Sequence, residues 1–161
     1  MNYDSQPGVQ VKPITVESFK RFGQVVQLPK TRPTAEGETF SFWSDIAHYF
    51  IDGQTEIGLC TVTVPSGHQI TGLERHLKTP EILIPIDAPF VLSLLLEGER
   101  VQELKVFRVN VGEAVVINRG VWHGPCIPLE KPKSTYFVIF RQKTPLDDVE
   151  KRSISGVIVN L

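Results

Sequence analysis

Residues 112–123 read GEAVVINRGVWH, from Gly112 to His123. Ala114 to Ile117 form a short apolar run, mostly β-branched, of the kind that packs a pleated and buried surface. Asn118-Arg119-Gly120 supplies turn residues. Three residues after the turn glycine stands His123, beside Trp122. The stretch therefore predicts a buried strand, a turn, and an imidazole delivered by the next element.

Units of the same kind lie on both sides. GLCTVTVP (58–65), PEILIPI (80–86), FVLSLLLEG (90–98), ELKVFRVN (103–110) and STYFVIFR (134–141) are β-type runs. Turns with Gly or Pro recur between them at roughly 8- to 12-residue intervals, which predicts an all-β sandwich or barrel of the jelly-roll kind. One short helix is expected in ITVESFKRFG (14–23). Thr15 is its N-cap, Phe19 and Phe22 share a face, and Gly23 is its stop. VVQLP (25–29) reads as a short strand and 30–39 as a flexible loop. FSFWSDIAHYF (40–50) adds a dense aromatic set to the region of β signal. The tail LDDVEKRSISGVIVNL (146–161) reads as a polar turn plus a last short strand. Residues 1–12 read as a loose arm on a single domain spanning 1–161.

Composition narrows the function classes. At 41% hydrophobic and 22% charged the chain is an ordinary globular one, long enough at 161 residues to need no disulfide staples. The net charge is −1 with no block of five like charges, which argues against a nucleic-acid or membrane surface as partner. Cys60 and Cys126 make no metal spacing and are expected to be reduced, in a cytoplasmic protein. The first residues show no basic segment followed by an apolar one, so no signal peptide is expected. The longest apolar run, Ala88 to Leu96, is about half of what a spanning helix needs.

Chemistry concentrates in two places. In LERHLKTPE (73–81), Glu74 and His76 are two apart and share a face on an extended backbone, while Arg75 points the other way. A Glu and a His facing inward need a partner, either a metal ion or a polar substrate. A solvated strand with a charged face is the plainer alternative. The second place is His123, where a packed Trp-His pair after a hairpin is the plainer alternative. The sequence has 4 histidines, His48, His68, His76 and His123. His68 reads as a surface residue and His48 as an interface or lid residue.

The spacing Gly112-x5-Asn118-x-Gly120-x2-His123 resembles the second signature motif of cupins, with Asn118 in place of its proline. Glu74, His76 and Glu81 resemble a reduced first motif. The helix ITVESFKRFG, LERH with IPI following, NRGVWH, and YFVIFR leading to DDVEKR together resemble the ureidoglycolate lyase family, formerly ureidoglycolate hydrolase. The likeness runs from about residue 11 to 154 and is weaker in 30–39 and 124–134. It implies a cupin-like jelly-roll β-barrel, usually a homodimer, that splits (S)-ureidoglycolate into glyoxylate and urea in allantoin-derived purine nitrogen recovery. A divalent metal, nickel or another first-row ion, accompanies some members. Another cupin-like enzyme of a small carboxylate or sugar acid, or a binding module without turnover, remains the alternative.

Cleavage of a carbinolamide needs a base for the hydroxyl proton, an acid for the leaving nitrogen, and a hold on the carboxylate. Histidine suits the proton work near neutrality. The expected catalytic set is His76, His123 and Glu74, and the same three residues are the expected ligands of any metal. Arg75, Arg119 and Arg141 are candidates for gripping the carboxylate. Asn118 in the turn is a candidate substrate contact, and Trp122 a candidate pocket wall.

Overall fold

The computed structural model describes residues 8–161. The chain runs β1 (Val9–Gln10), β2 (Lys12–Pro13), α1 (Val16–Phe19), β3 (Gly23–Val26), β4 (Ala35–Glu36), β5 (Ser41–Phe42), β6 (Thr55–Thr63), β7 (Gln69–Arg75), β8 (Glu81–Pro85), β9 (Phe90–Leu95), β10 (Lys105–Val109), β11 (Ala114–Ile117), β12 (Trp122–His123), β13 (Ile127–Pro128), β14 (Lys133–Arg141), α2 (Thr144–Asp147) and β15 (Glu150–Asn160). Short 3-10 turns occupy Ser66–His68 and Val101–Glu103. The expected all-β jelly roll is what forms, with a second short helix, α2, beside the one expected. No helix among the described residues is long and apolar enough to cross a membrane.

Two sheets carry the fold. The larger has the order β1-β15-β7-β12-β9-β10-β2, with β13 also on β9, and the smaller has β3-β11-β8-β14-β6. The pleat explains how one sheet serves two cores. On β9, Phe90, Leu92 and Leu94 face the smaller sheet and pack with Leu83, Val115, Ile117, Tyr136 and Val138. Val91 and Leu95, on the other face, pack with Ile70, Leu73, Val106, Trp122 and Val159. That second core is enclosed because the larger sheet nearly closes on itself. β1 pairs with β15 through Val9↔Val159, and β2, just after it, pairs with β10 through Lys12↔Phe107. The end of the segment read as a loose arm thus joins the two margins of the sheet. Residues 1–7 of that arm lie outside the described residues.

Three local expectations are revised. The helix is a single turn, capped as expected by Thr15, whose hydroxyl accepts from the Ser18 N–H at 3.0 Å. Gly23 does not stop it but opens β3, opposite Ile117. The tail is not a short strand: β15 is 11 residues long and pairs with β7. The aromatic set at 40–50, counted with the β signal, forms strand only at Ser41–Phe42, and Phe40, Phe42, Tyr49 and Phe50 are all exposed. Composition marks these residues as apolar, but only the packing decides whether anything covers them.

Candidate active site

β-Sheet register builds the site. Residues directly opposite one another on neighbouring strands project from the same face. Lys151 on β15 stands opposite Glu74 on β7, Glu74 opposite His123 on β12, and His123 opposite Leu94 on β9. Leu94 belongs to the core between the sheets, so this whole row faces the smaller sheet. His76 follows Glu74 by two residues and joins it. From the facing sheet comes Glu81, the first residue of β8, whose face is shared by the core residue Leu83.

Glu81 is the junction. One of its carboxylate oxygens lies 3.1 Å from His76 Nε2 and 3.0 Å from His123 Nε2. All three side chains are buried, with 5% of His76, 7% of Glu81 and 5% of His123 exposed. The two imidazole rings are 5.3 Å apart. His76 is fixed from its other side: its Nδ1–H donates to the Asp148 carbonyl at 2.8 Å. The Asp148 carboxylate in turn accepts the Leu77 and Lys78 N–H groups at 3.0 and 2.9 Å. With Nδ1 already a donor, a hydrogen bond from Nε2 to a carboxylate requires a doubly protonated ring. His123 Nε2 is different. It sits beside Glu81 but outside hydrogen-bond geometry, and is a buried ring nitrogen with no hydrogen-bond partner among the described residues.

The electrostatics agree. Burial alone would raise the Glu81 pKa, but nearby His123 and the hydrogen bond from His76 overcome it and hold the group at about 2. Burial alone would lower that of His76. The Glu81 hydrogen bond and charge, the Asp148 carbonyl and Glu74 overcome it and raise the group to about 9. A depressed carboxylate stabilises the fold above its unfolded value of 4.5 and loses that contribution as pH falls through about 2. A raised imidazole stabilises below 6.5 and loses that contribution as pH climbs through about 9. The pair is therefore worth most between pH 4.5 and 6.5. With a chelator present, the melting temperature is expected to fall from pH 6.5 to 9 in the parent protein and to change less in Glu81→Gln. Equal slopes in the two proteins would contradict this ion pair.

The cluster opens into a cleft of about 790 Å³ whose wall includes Glu56, Glu74, His76, Glu81, Tyr136 and Lys151. A second hollow of about 330 Å³ continues past Glu74 and Lys151 to His123. Glu74, His76 and His123 each bring a ligand atom within 4.8 Å of the others. A carboxylate with two imidazoles, one of them with an unmet nitrogen, is a donor set that fits a divalent first-row ion.

The structure sorts the expected residues. Glu74, His76 and His123 come together, with His123 beside Glu74 on the neighbouring strand of one sheet. Arg75 lies on the opposite face, as its alternation predicts. It bonds to Glu97, pairs with Glu150 at 2.8 Å and stacks 4.4 Å over Trp122. Trp122 is on that far face too, its indole N–H donating to Glu97 at 3.0 Å, so it is not a wall of the cleft. Asn118 lies under the cluster with Thr79 and Val121. Arg119 lines a separate hollow with Gln24, His48 and Tyr49. Arg141 ends β14, where its N–H donates to the Thr79 hydroxyl at 3.0 Å, and does not line the cleft. Sequence reasoning quoted Glu81 in the reduced motif without giving it a role. It also missed Asp148, for which the acidic stretch DDVE was the available signal. Both cysteines are free, and burial pushes the Cys126 thiol up, away from nucleophilic use.

The chain as a whole is similar to known proteins of one family. The family described as "Ureidoglycolate lyase" matches residues 6–160. A protein named ureidoglycolate lyase from Burkholderia mallei (strain NCTC 10229) is 28% identical over 131 residues, 75% of each chain. Another of that name from Brucella anthropi is 27% identical over 139 residues, 81% of each chain. Among solved structures, a mutant oxalate decarboxylase of Bacillus subtilis superposes with a TM-score of 0.45 at 15% identity, covering 63% of this chain and 24% of that one. Peruvianin-I, a cysteine peptidase from Thevetia peruviana latex, gives a TM-score of 0.46 at 13% identity, over 65% of this chain and 57% of that one. The chain thus spans about a quarter of the decarboxylase it matches.

Proposed function

The chain belongs to the ureidoglycolate lyase family, and we propose that the cluster of Glu74, His76, Glu81 and His123 is where it splits (S)-ureidoglycolate into glyoxylate and urea. The observation that carries this placement is the single Glu81 oxygen held between two buried imidazoles at the end of an open cleft.

The reaction needs no water. A base removes the proton of the hydroxyl group, the carbonyl of glyoxylate forms as the carbon–nitrogen bond breaks, and the departing urea nitrogen takes up a proton. His123 is the base, because its Nε2 has no hydrogen-bond partner in place. His76 is the acid, because it is held as an imidazolium at neutral pH. Glu81, touching both, keeps the charge balanced as one ring gains a proton and the other gives one up. Asp148 holds His76 in orientation through Nδ1.

The same side chains also suit a metal. Glu74, His76 and His123 would hold a divalent first-row ion, and such an ion supplies polarisation of the substrate's hydroxyl and carboxylate oxygens. The two uses compete at Nε2, since a lone pair given to a metal cannot take a proton. Other parts of this reading are a role in allantoin-derived purine nitrogen catabolism, a cytoplasmic protein and a homodimer. The outer face of the smaller sheet supports the dimer, since Ile57 and Leu59 are 69% and 66% exposed there beside Phe137.

Glyoxylate release from racemic ureidoglycolate, against the spontaneous background, tests the function. A rate well above background is expected, with half of the racemate consumed. A chelator that leaves the rate unchanged supports the proton-transfer roles, and one that abolishes it assigns the cluster to a metal. No rate above background, with metal restored to a folded protein, would overturn the assignment.

A further inference from the structure

Resting on that reading, we propose that Lys151 is the specificity-determining residue that anchors the substrate carboxylate and selects acids over their neutral analogues. The three arginines expected to do this lie elsewhere. Arg75 is held on the far face by Glu97 and Glu150, Arg119 lines another hollow, and Arg141 is outside the cleft wall. Lys151 lines both hollows that meet at the cluster. It stands opposite Glu74, which stands opposite His123, so its side chain leaves the sheet on the catalytic face.

Its charge is free to act. Among the described residues Lys151 enters no ion pair, although Glu74 is directly across from it. The rest of the cleft wall carries Glu56, Glu74 and Glu81. An anionic substrate approaching those carboxylates is repelled unless a cation receives it, and His76 is already committed to Glu81. Neighbouring strands are ~4.8 Å apart, so His123 lies two strand spacings from Lys151. The flexible stem of lysine bridges most of that distance, and its ammonium group is a compact point charge. A carboxylate bonded to the reacting carbon fits in the remaining gap.

The test uses glycolate and its neutral isostere glycolamide as probes, titrated by calorimetry into the parent protein, Lys151→Met and Lys151→Arg. Lys151 is exposed, so the variants are expected to melt like the parent. The parent should bind glycolate at least ~10-fold more tightly than glycolamide, as a charge-assisted contact implies. Lys151→Met should lose that preference and Lys151→Arg should keep it. With ureidoglycolate, KM should rise ~10-fold in Lys151→Met and kcat should change little, the pattern of lost ground-state binding. Glycolate affinity in Lys151→Met within twofold of the parent, or no preference in the parent, would overturn the proposal. The two assignments fail separately: Lys151-dependent glycolate binding without glyoxylate release removes the lyase site and leaves the anion anchor. Release with a KM indifferent to Lys151 does the reverse.

Discussion

His123→Ala is expected to lower kcat by about 100-fold or more, the usual loss when a general base is removed. The expectation comes from the state of one atom. His123 Nε2 is buried and without a hydrogen-bond partner among the described residues, yet it lies 3.0 Å from Glu81. Truncation also removes one of the two groups that depress Glu81, so some stability should be lost with the activity. His123→Gln separates the effects. It keeps a polar side chain beside Glu81 but cannot accept and return a proton, so it should be as inactive as alanine while melting closer to the parent. A folded His123→Ala protein with a near-normal rate would remove His123 from the chemistry.

Gly23→Ala should cost more stability than any change at the surface. Gly23 opens β3 where the strand begins its pairing with β11, and an added Cβ would sit 1.7 Å from the Val116 carbonyl oxygen. That oxygen is backbone in a buried strand, so neither side can yield by rotating a side chain. The Phe22 carbonyl accepts the Asn118 N–H at 2.8 Å, which ties the start of β3 to the turn after β11. The expected loss is about 3 kcal/mol or more, in the range of severe core overpacking. For a chain of this size that lowers the melting temperature by roughly 6–12 °C. The effect should reach the site as well. The Gly120 N–H of that turn donates to the His76 carbonyl at 2.7 Å, so a displaced β11 carries His76 with it. Scanning calorimetry of the variant checks the first part, and an unchanged melting temperature would refute the close approach.

Much of the fold was legible because it depends on local pattern. The β-type runs at 103–110 and 134–141 yield β10 and β14, and the apolar run after Gly112 yields β11. Spacing by two put Glu74 and His76 on one face and Arg75 on the other, and both hold in the structure. These properties follow from the two-residue repeat of a strand, which needs no knowledge of its neighbours.

What the tertiary structure alone decided is non-local. Glu81 begins an apolar strand and, though part of the reduced motif, carries no sign there of its role. It becomes the junction of the site because β8 lies across from β7 and β12, and no pattern within either segment encodes that pairing. Lys151 sits in a tail that reads as a polar turn. The register of β15 against β7 sets it beside Glu74 and leaves its charge unpaired. The exposure of the aromatic stretch at 40–50 was likewise not written in its composition, because burial belongs to contacts between segments. By itself, then, the sequence determined most of the strands, their faces and the two histidines that meet in the candidate site. The packing of one sheet against the other determined which carboxylate joins them and which cation lines the cleft, because side-chain electrostatics depend on distances that only the folded chain brings within a few ångströms.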